Sequence, residues 1–448
     1  MAVKVDTDKK SAPQGVPQAQ VRRAAPPAPA GQSEQRAKVA YIMSRFPVIT
    51  ETFVLYEMLA LEEQGLQVEL YPLQRERTEV MHPEARPFVA RANFQPLFSW
   101  PIFKSQLYYL LRKPLVYLAI LWTLIRANFG SSRYLFGALG FFPKAVHFAR
   151  LMKAEGITHI HAHFASHPAA VAYVIHRLTG IPYSFTAHGS DLHRDRHMLC
   201  EKVSEAAFVA AISQYNKNII VTECPGSAKG ADGDKVLVVH CGVDTTVFQP
   251  RTEPTSYERG ESPFTILCIG TLHEVKGQTY LIDACRLLHE RAIDFVCRFV
   301  ADGPDLAKLT EQAAQGGIAD RVHFHGRVTR EEIAALLRDA DVMAAPSVPT
   351  SDGRREGIPV VLMEAMGSGV PVVASDLSGI PELAVNEQCG LLVPPRDVEG
   401  LANALERLYH DPALRRQFSI AGREKVLNEF DLTLNAAHLA QLFRGQRS

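Results

Sequence analysis

The chain has 448 residues, enough for two domains with full hydrophobic cores. Apolar residues make up 47% and charged residues 21%, and 48 Lys and Arg against 48 Asp and Glu give no net field to recruit nucleic acid. Seven cysteines are scattered without a Cys-x-x-Cys, which fits a reducing compartment better than a disulfide framework.

Residues 1–36 are rich in Ala, Pro, Gln and Lys and lack a secretory apolar region, so a disordered tail outside the fold is expected. Residues 38–43 read as the first strand. Ser44-Arg45-Phe46-Pro47-Val48-Ile49-Thr50-Glu51-Thr52-Phe53 follows, then a helix to about Gln64 and a strand over 68–73. Residues 97–150 are rich in aromatic and aliphatic side chains, Trp100, Phe103, Tyr108 and Trp122 among them. Arg112, Lys113, Arg126, Arg133 and Lys144 are interspersed and acids are absent. Two readings stand here: an interfacial contact with the inner membrane surface, or helices packed on the first domain's sheet. The longest apolar run, residues 115–125, is too short to cross a bilayer, so a cytoplasmic protein is expected, peripheral at the membrane on the first reading.

Residues 156–163 form a further strand in which His159, His161 and His163 alternate and share one face. No Cys or acid completes a metal set at ligand spacing, so no metal is expected. Residues 181–186, 207–212 and 236–240 continue the strands, and Ala187-His188-Gly189-Ser190-Asp191 closes the first of them with His188 at the cleft floor. Residues 251–263, with Pro254, Gly260 and Pro263, read as a linker. Beyond it strands recur at 265–270, 295–301, 322–325, 342–346, 370–375 and 390–393. Strands alternating with helices imply an α/β chain with parallel, doubly wound sheets.

In the second half, Gly270-Thr271-Leu272-His273-Glu274-Val275-Lys276-Gly277 follows a strand end, where Lys276 offers a point charge to a diphosphate. Ala301-Asp302-Gly303-Pro304 and His325-Gly326-Arg327-Val328 are similar strand-end turns, and a plain turn explains either equally well. Asp339-Ala340-Asp341 joins a helix to a strand and reads as a cap and turn. The most informative stretch is Arg354-Arg355-Glu356-Gly357-Ile358-Pro359-Val360-Val361-Leu362-Met363-Glu364. A polar loop over 347–355 leads into a helix from Pro359 to Met366, with Pro359 suited to its first position. The free amides of Gly357, Ile358 and Val360 would face an anion, which the helix dipole favours. Glu364 lies among apolar neighbours on a largely buried helix, so it needs a partner or a ligand.

Glu356-x7-Glu364, with Gly369-Val370-Pro371-Val372-Val373-Ala374-Ser375 and Gly379-Ile380-Pro381-Glu382 downstream, resembles the retaining glycosyltransferase family called family 4. Within it the chain is most similar to bacterial exopolysaccharide and colanic-acid type enzymes, from about residue 39 to 430. The resemblance implies the GT-B fold, two Rossmann-like domains facing a central cleft. Residues 37–250 would form the acceptor domain and 264–427 the nucleotide-sugar domain, with 428–448 a helix crossing back to the first. It implies retaining transfer, by front-face substitution, from a UDP- or GDP-sugar to a glycan or polyprenyl-diphosphate-linked acceptor. No cofactor beyond the nucleotide-sugar co-substrate, and no metal, is implied. His188, Glu356 and Lys276 would be catalytic, with His188 against the donor sugar. The donor would meet Gly270, Thr271, Lys276, Gly303, Arg327, Val328, Gly357, Ile358, Pro359, Val360 and Glu364. Glu51, Thr52, His163 and Asp191 would face the acceptor. The family commonly has Arg where this chain has Thr271, so Lys276 and the helix amides would carry more of the diphosphate charge. A nucleotide-sugar epimerase or hydrolase, or a non-catalytic scaffold of a polysaccharide assembly complex, is the alternative on the same fold.

Overall fold

Two runs of alternating strand and helix build two separate parallel sheets. The computed structural model describes residues 37–446 apart from 49–50, 78–80, 231–232, 254, 256 and 259. The expected tail, and Ile49 and Thr50 of the first loop, lie outside the described residues. The first half runs β1 (Lys38–Ile42), β2 (Arg45–Phe46), α1 (Thr52–Glu63), β3 (Gln67–Leu70), β4 (Gln74–Arg75) and α2 (Ala85–Arg91). It continues with α3 (Trp100–Arg112), α4 (Pro114–Ala127), α5 (Ser132–Ala154), β5 (His159–His163), α6 (His167–Thr179) and β6 (Tyr183–Ala187). It ends with α7 (Ser190–His193), α8 (Leu199–Glu205), β7 (Phe208–Ala211), α9 (Gln214–Glu223), β8 (Lys229–Gly230), β9 (Gly233–Asp234) and β10 (Val236–Val238).

The second half comprises β11 (Phe264–Ile269), α10 (Gln278–Glu290), β12 (Phe295–Val300), α11 (Leu306–Gln315), β13 (Val322–Phe324), α12 (Arg330–Asp339) and β14 (Val342–Ala345). Then come α13 (Val360–Gly367), β15 (Val372–Ser375), α14 (Ile380–Leu383), β16 (Leu391–Val393), α15 (Val398–His410), α16 (Pro412–Glu429) and α17 (Leu432–Phe443). Strand β11 is buried at every position, as a strand with helices on both faces must be.

The first sheet has the order β3-β1-β5-β6-β7-β10 and the second β13-β12-β11-β14-β15-β16. Chain order reverses between β1 and β5 in one and between β11 and β14 in the other. These are the switch points outside which doubly wound sheets bind ligands. The GT-B architecture is thus present. Helix α17 packs against α1, and its Phe443 joins the first half's core beside Tyr41 and Phe208. Asp341 behaves as a turn brace, accepting from the Thr255 hydroxyl at 2.5 Å and the Thr265 amide at 2.8 Å. It ties the linker to β11.

Two expectations change. Helix α13 starts at Val360, one residue later than expected, because Pro359 is extended (φ −64°, ψ 125°) and caps it. Cys200 and Cys224 are joined in a disulfide, contrary to the cysteine reading. Their spacing of 24 residues says nothing by itself; the first turn of α8, which carries Cys200, meets the C-terminal end of α9, which Cys224 caps. The other five cysteines are free and buried.

Residues 97–150 form α3, α4 and α5. Helix α5 lies on α6 and α3 lies on α5. Among the described residues no single helix is long and apolar enough to cross a membrane, and α3 and α4 form a pair bent by 113°.

Candidate active site between the two switch points

The loops after β11 and β14 close on each other. A Cβ at Gly277 would lie 1.8 Å from the Pro346 carbonyl oxygen, so only glycine permits this approach. The same turn brings the Lys276 ammonium to the Glu356 carboxylate at 2.9 Å, with both groups partly buried. The pair is thus assembled from two loops 80 residues apart in sequence. The Lys276 side chain lies over Gly270, whose φ is +146°. Thr271 is exposed, and its carbonyl, like that of Gly270, accepts from Gln278. Gly303 packs on the backbone of Leu272, and Arg327 pairs with Asp302 at 3.1 Å in an exposed setting. Val328 is half-buried against the second half's core.

Across the crevice, Gly357 faces the carbonyl of His188: a Cβ there would sit 2.6 Å from that oxygen. Ile358 is buried beside Ile212 of the first half. The amides of Gly357 and Val360 precede the first closed turn of α13, so the helix does not use them. Glu364 lies one turn further in, half-buried among the buried Leu362, Met363, Ala365 and Met366. One of its oxygens has no partner, and burial raises its pKa from 4.5 to about 7, offset in part by Arg330. Arg330 itself pairs with Asp244 at 3.3 Å and stacks on the Tyr56 ring of α1 at 4.0 Å.

The first half presents a buried histidine ladder. His159 and His161 share the Ser184 hydroxyl at 2.7 and 2.8 Å, and His161 also bonds Thr186 at 2.9 Å. Burial lowers the pKa of both, so both rings are neutral at pH 7. His163 bonds His188 at 3.0 Å through Nδ1 and Glu57 at 3.0 Å through Nε2, and the Tyr41 hydroxyl donates to the same Glu57 oxygen at 2.7 Å. Glu57 accepts, so His163 Nε2 carries a proton. Burial first, and then its neighbour His163, hold His188 well below its ordinary pKa.

Several expected site residues sit differently from the sequence reading. The His188 ring does not project onto an open cleft floor. It is enclosed by Phe53 and Phe164, with Nδ1 toward the Cys241 sulfur at 3.9 Å, and its backbone carbonyl is what meets the second half. Asp191 is turned inward: its carboxylate accepts from the amides of Ala165, His188 and Gly189 and braces the loop rather than facing an acceptor. His163 is fully buried inside the ladder. Glu51 caps α1 and lines a pocket with Met43, Phe46, Val48 and His82, and burial raises its pKa to about 7. Thr52 opens the same helix.

The ladder also supplies the acid that local spacing lacked. Glu57, His161 and His163 place ligand atoms within 4.8 Å of one another. Every ring nitrogen in that set already has a hydrogen-bond partner, so the group as it stands is a hydrogen-bond chain. Sequence reasoning also missed Glu382, whose carboxylate crosses from the second half to the first. It accepts from the amides of Gln214 at 2.6 Å and Tyr215 at 2.8 Å at the N-terminus of α9. Glu382 had been quoted only as part of a motif; its partners, more than 160 residues away, carried no sequence signal.

Comparison with known proteins identifies the family. Residues 50–247 match the family described as Glycosyltransferase Family 4 and residues 251–425 that described as Glycosyl transferases group 1. A protein of Escherichia coli K12 named for colanic acid biosynthesis, the glycosyltransferase WcaL, is 30% identical over 91% of this chain and 99% of its own length. The chain belongs to glycosyltransferase family 4. It is an enzyme of the transferase class. The amylovoran biosynthesis glycosyltransferase AmsK of Erwinia amylovora is 33% identical over 57% of this chain and 62% of its own. The crystal structure of Anabaena Alr3699/HepE in complex with UDP shares the fold of this glycosyltransferase, with a TM-score of 0.65 at 17% identity over 91% of this chain and 100% of that one.

Proposed function

We propose that the enzyme moves a sugar from a nucleoside diphosphate sugar, with retention, to a glycan or lipid-linked acceptor of exopolysaccharide assembly at the cytoplasmic face of a membrane. The observation that carries this is the Lys276–Glu356 pair at the second sheet's switch point, opposite His188. A diphosphate entering there would take Lys276 as counter-charge and the α13 amides as donors, stabilising the leaving group. Releasing Lys276 frees Glu356 to accept sugar hydroxyls. Glu364, half-buried with an open oxygen, suits a ribose hydroxyl. With its ring enclosed and both nitrogens partnered, His188 would border the donor pocket through its backbone carbonyl at Gly357, and the ladder would hold that wall in place. The name of WcaL supports the exopolysaccharide setting, and the complex of HepE with UDP supports a nucleotide ligand.

Glu356→Ala is expected to abolish transfer from labelled UDP- and GDP-sugars to membrane lipid extract while leaving the melting curve unchanged. NMR of the parent's product should show the donor's anomeric configuration. Full activity in the variant, or an inverted product, overturns the reading. Donor incubated without acceptor should stay intact, which separates a transferase from an epimerase or hydrolase.

A further inference from the structure

The chain has two tryptophans, Trp100 on α3 and Trp122 on α4, and each is 65% exposed. They belong to continuous stripes. On α3, Phe103, Leu107, Leu110 and Leu111 lie outward at helical spacing after Trp100, while Ile102, Ser105 and Tyr109 face inward. On α4, Leu115, Leu118, Trp122 and Ile125 recur at three- and four-residue steps on the outer side, and Ile120 and Leu124 pack inward. Helix α4 is therefore apolar on both faces, which a water-facing helix is not. Scattered exposed apolar residues are ordinary, whereas a patch built from two adjoining helices marks an interaction surface.

Charge selects the partner. From residue 85 to residue 154 the chain carries ten basic residues and no acid, within a protein that is neutral overall. Lys104, Arg112, Lys113, Arg126 and Arg133 are exposed around the stripes. Arg126 has an acidic neighbour, Glu201, at 3.5 Å, and Lys104 lies over the Trp100 ring. Aromatic residues beside cations at an apolar face suit the headgroup boundary of an anionic bilayer. Neither helix alone is long enough to cross. Helices of 13 and 14 residues are each about 20 Å long, against roughly 30 Å of hydrocarbon, and the joint between them bends by 113°.

We propose that the α3–α4 elbow lies in the interface of an anionic membrane, its outer stripes at the acyl boundary and its basic residues against lipid phosphates. The purpose rests on the lipid-linked acceptor proposed above; the docking itself does not. Both tryptophans sit on the elbow, so tryptophan emission, excited selectively over tyrosine, reports this surface alone. Full-length protein is titrated with phosphatidylcholine vesicles, with and without about 30 mol% phosphatidylglycerol. The expected result is a blue shift and co-flotation with the anionic vesicles, weakened about tenfold on neutral vesicles or in ~0.5 M salt. The triple variant Leu115→Ser, Leu118→Ser and Ile125→Ser keeps both reporters. It should lose the shift and the flotation, yet melt normally and transfer normally to detergent-dispersed lipid extract. Unchanged parent emission on anionic vesicles overturns the docking. So does a shift that depends on protein concentration without lipid, which would mean that a second copy covers the face. If the parent floats but transfers to no acceptor, the docking stands and the proposed function falls.

Discussion

Glu364 is a carboxyl without a full set of partners, and its pKa of about 7 has a sign that can be followed. The fold favours the neutral acid. That stabilisation is complete below about 4.5, the unfolded value, and is lost as the pH rises through about 7. Glu364→Gln is expected to match the parent's stability in acid and to exceed it above pH 7 by up to ~3 kcal/mol in urea unfolding. Ionised Glu364 is the better acceptor of a ribose hydroxyl, so donor affinity should rise with pH through this window in the parent and stay flat in the variant. Glu51 titrates in the same window, and a Glu51→Gln control separates the two. A parent whose stability and donor affinity are both flat across the window contradicts the assignment. Partial burial of Glu364 was legible from its apolar neighbours. Glu57 was not, because only the packing of α1 on the first sheet brings its carboxylate to His163, 106 residues away.

At the scale of elements, the strands were readable because parallel strands covered on both faces are short apolar runs between turns. Lys276 and Glu356 were readable because both lie in loops that follow strands of the second sheet. The surface of α3 and α4 was ambiguous, since one composition serves core packing and membrane contact alike until the outward face is known. Helix α9 illustrates contacts invisible in sequence at both its ends. Glu382 neutralises its N-terminal dipole from the other half, and Glu382→Gln is expected to cost about 1–3 kcal/mol and to loosen the crevice, read as faster proteolysis at neutral pH. The Cys200–Cys224 disulfide lies at its other end and closes a loop of 24 residues. Removing it by Cys200→Ser with Cys224→Ser should lower stability by about 3 kcal/mol; equal denaturant midpoints with and without reductant would show that the bond does not form.

On the scale of the whole molecule, the two halves are joined twice at one place. The chain leaves the first half through Gly242–Val243 and returns through 430–432, and the two passes pair: the Val243 amide donates to Phe430 at 2.8 Å and the Leu432 amide to Val243 at 3.0 Å. A Cβ on Gly242 would stand 2.3 Å from the Cα of Leu432. Gly242→Ala should therefore pry the passes apart, lowering stability by roughly 1–3 kcal/mol and slowing transfer without touching the donor loops. A variant with parent melting and turnover would refute this.

Because both passes lie side by side, rotation about that spot stretches neither. A swing of the halves about that spine, as leaves of a book turn, would part the page edges where Glu382, Arg330 and the Gly357–His188 contact lie. Substrate and product would exchange through that gape.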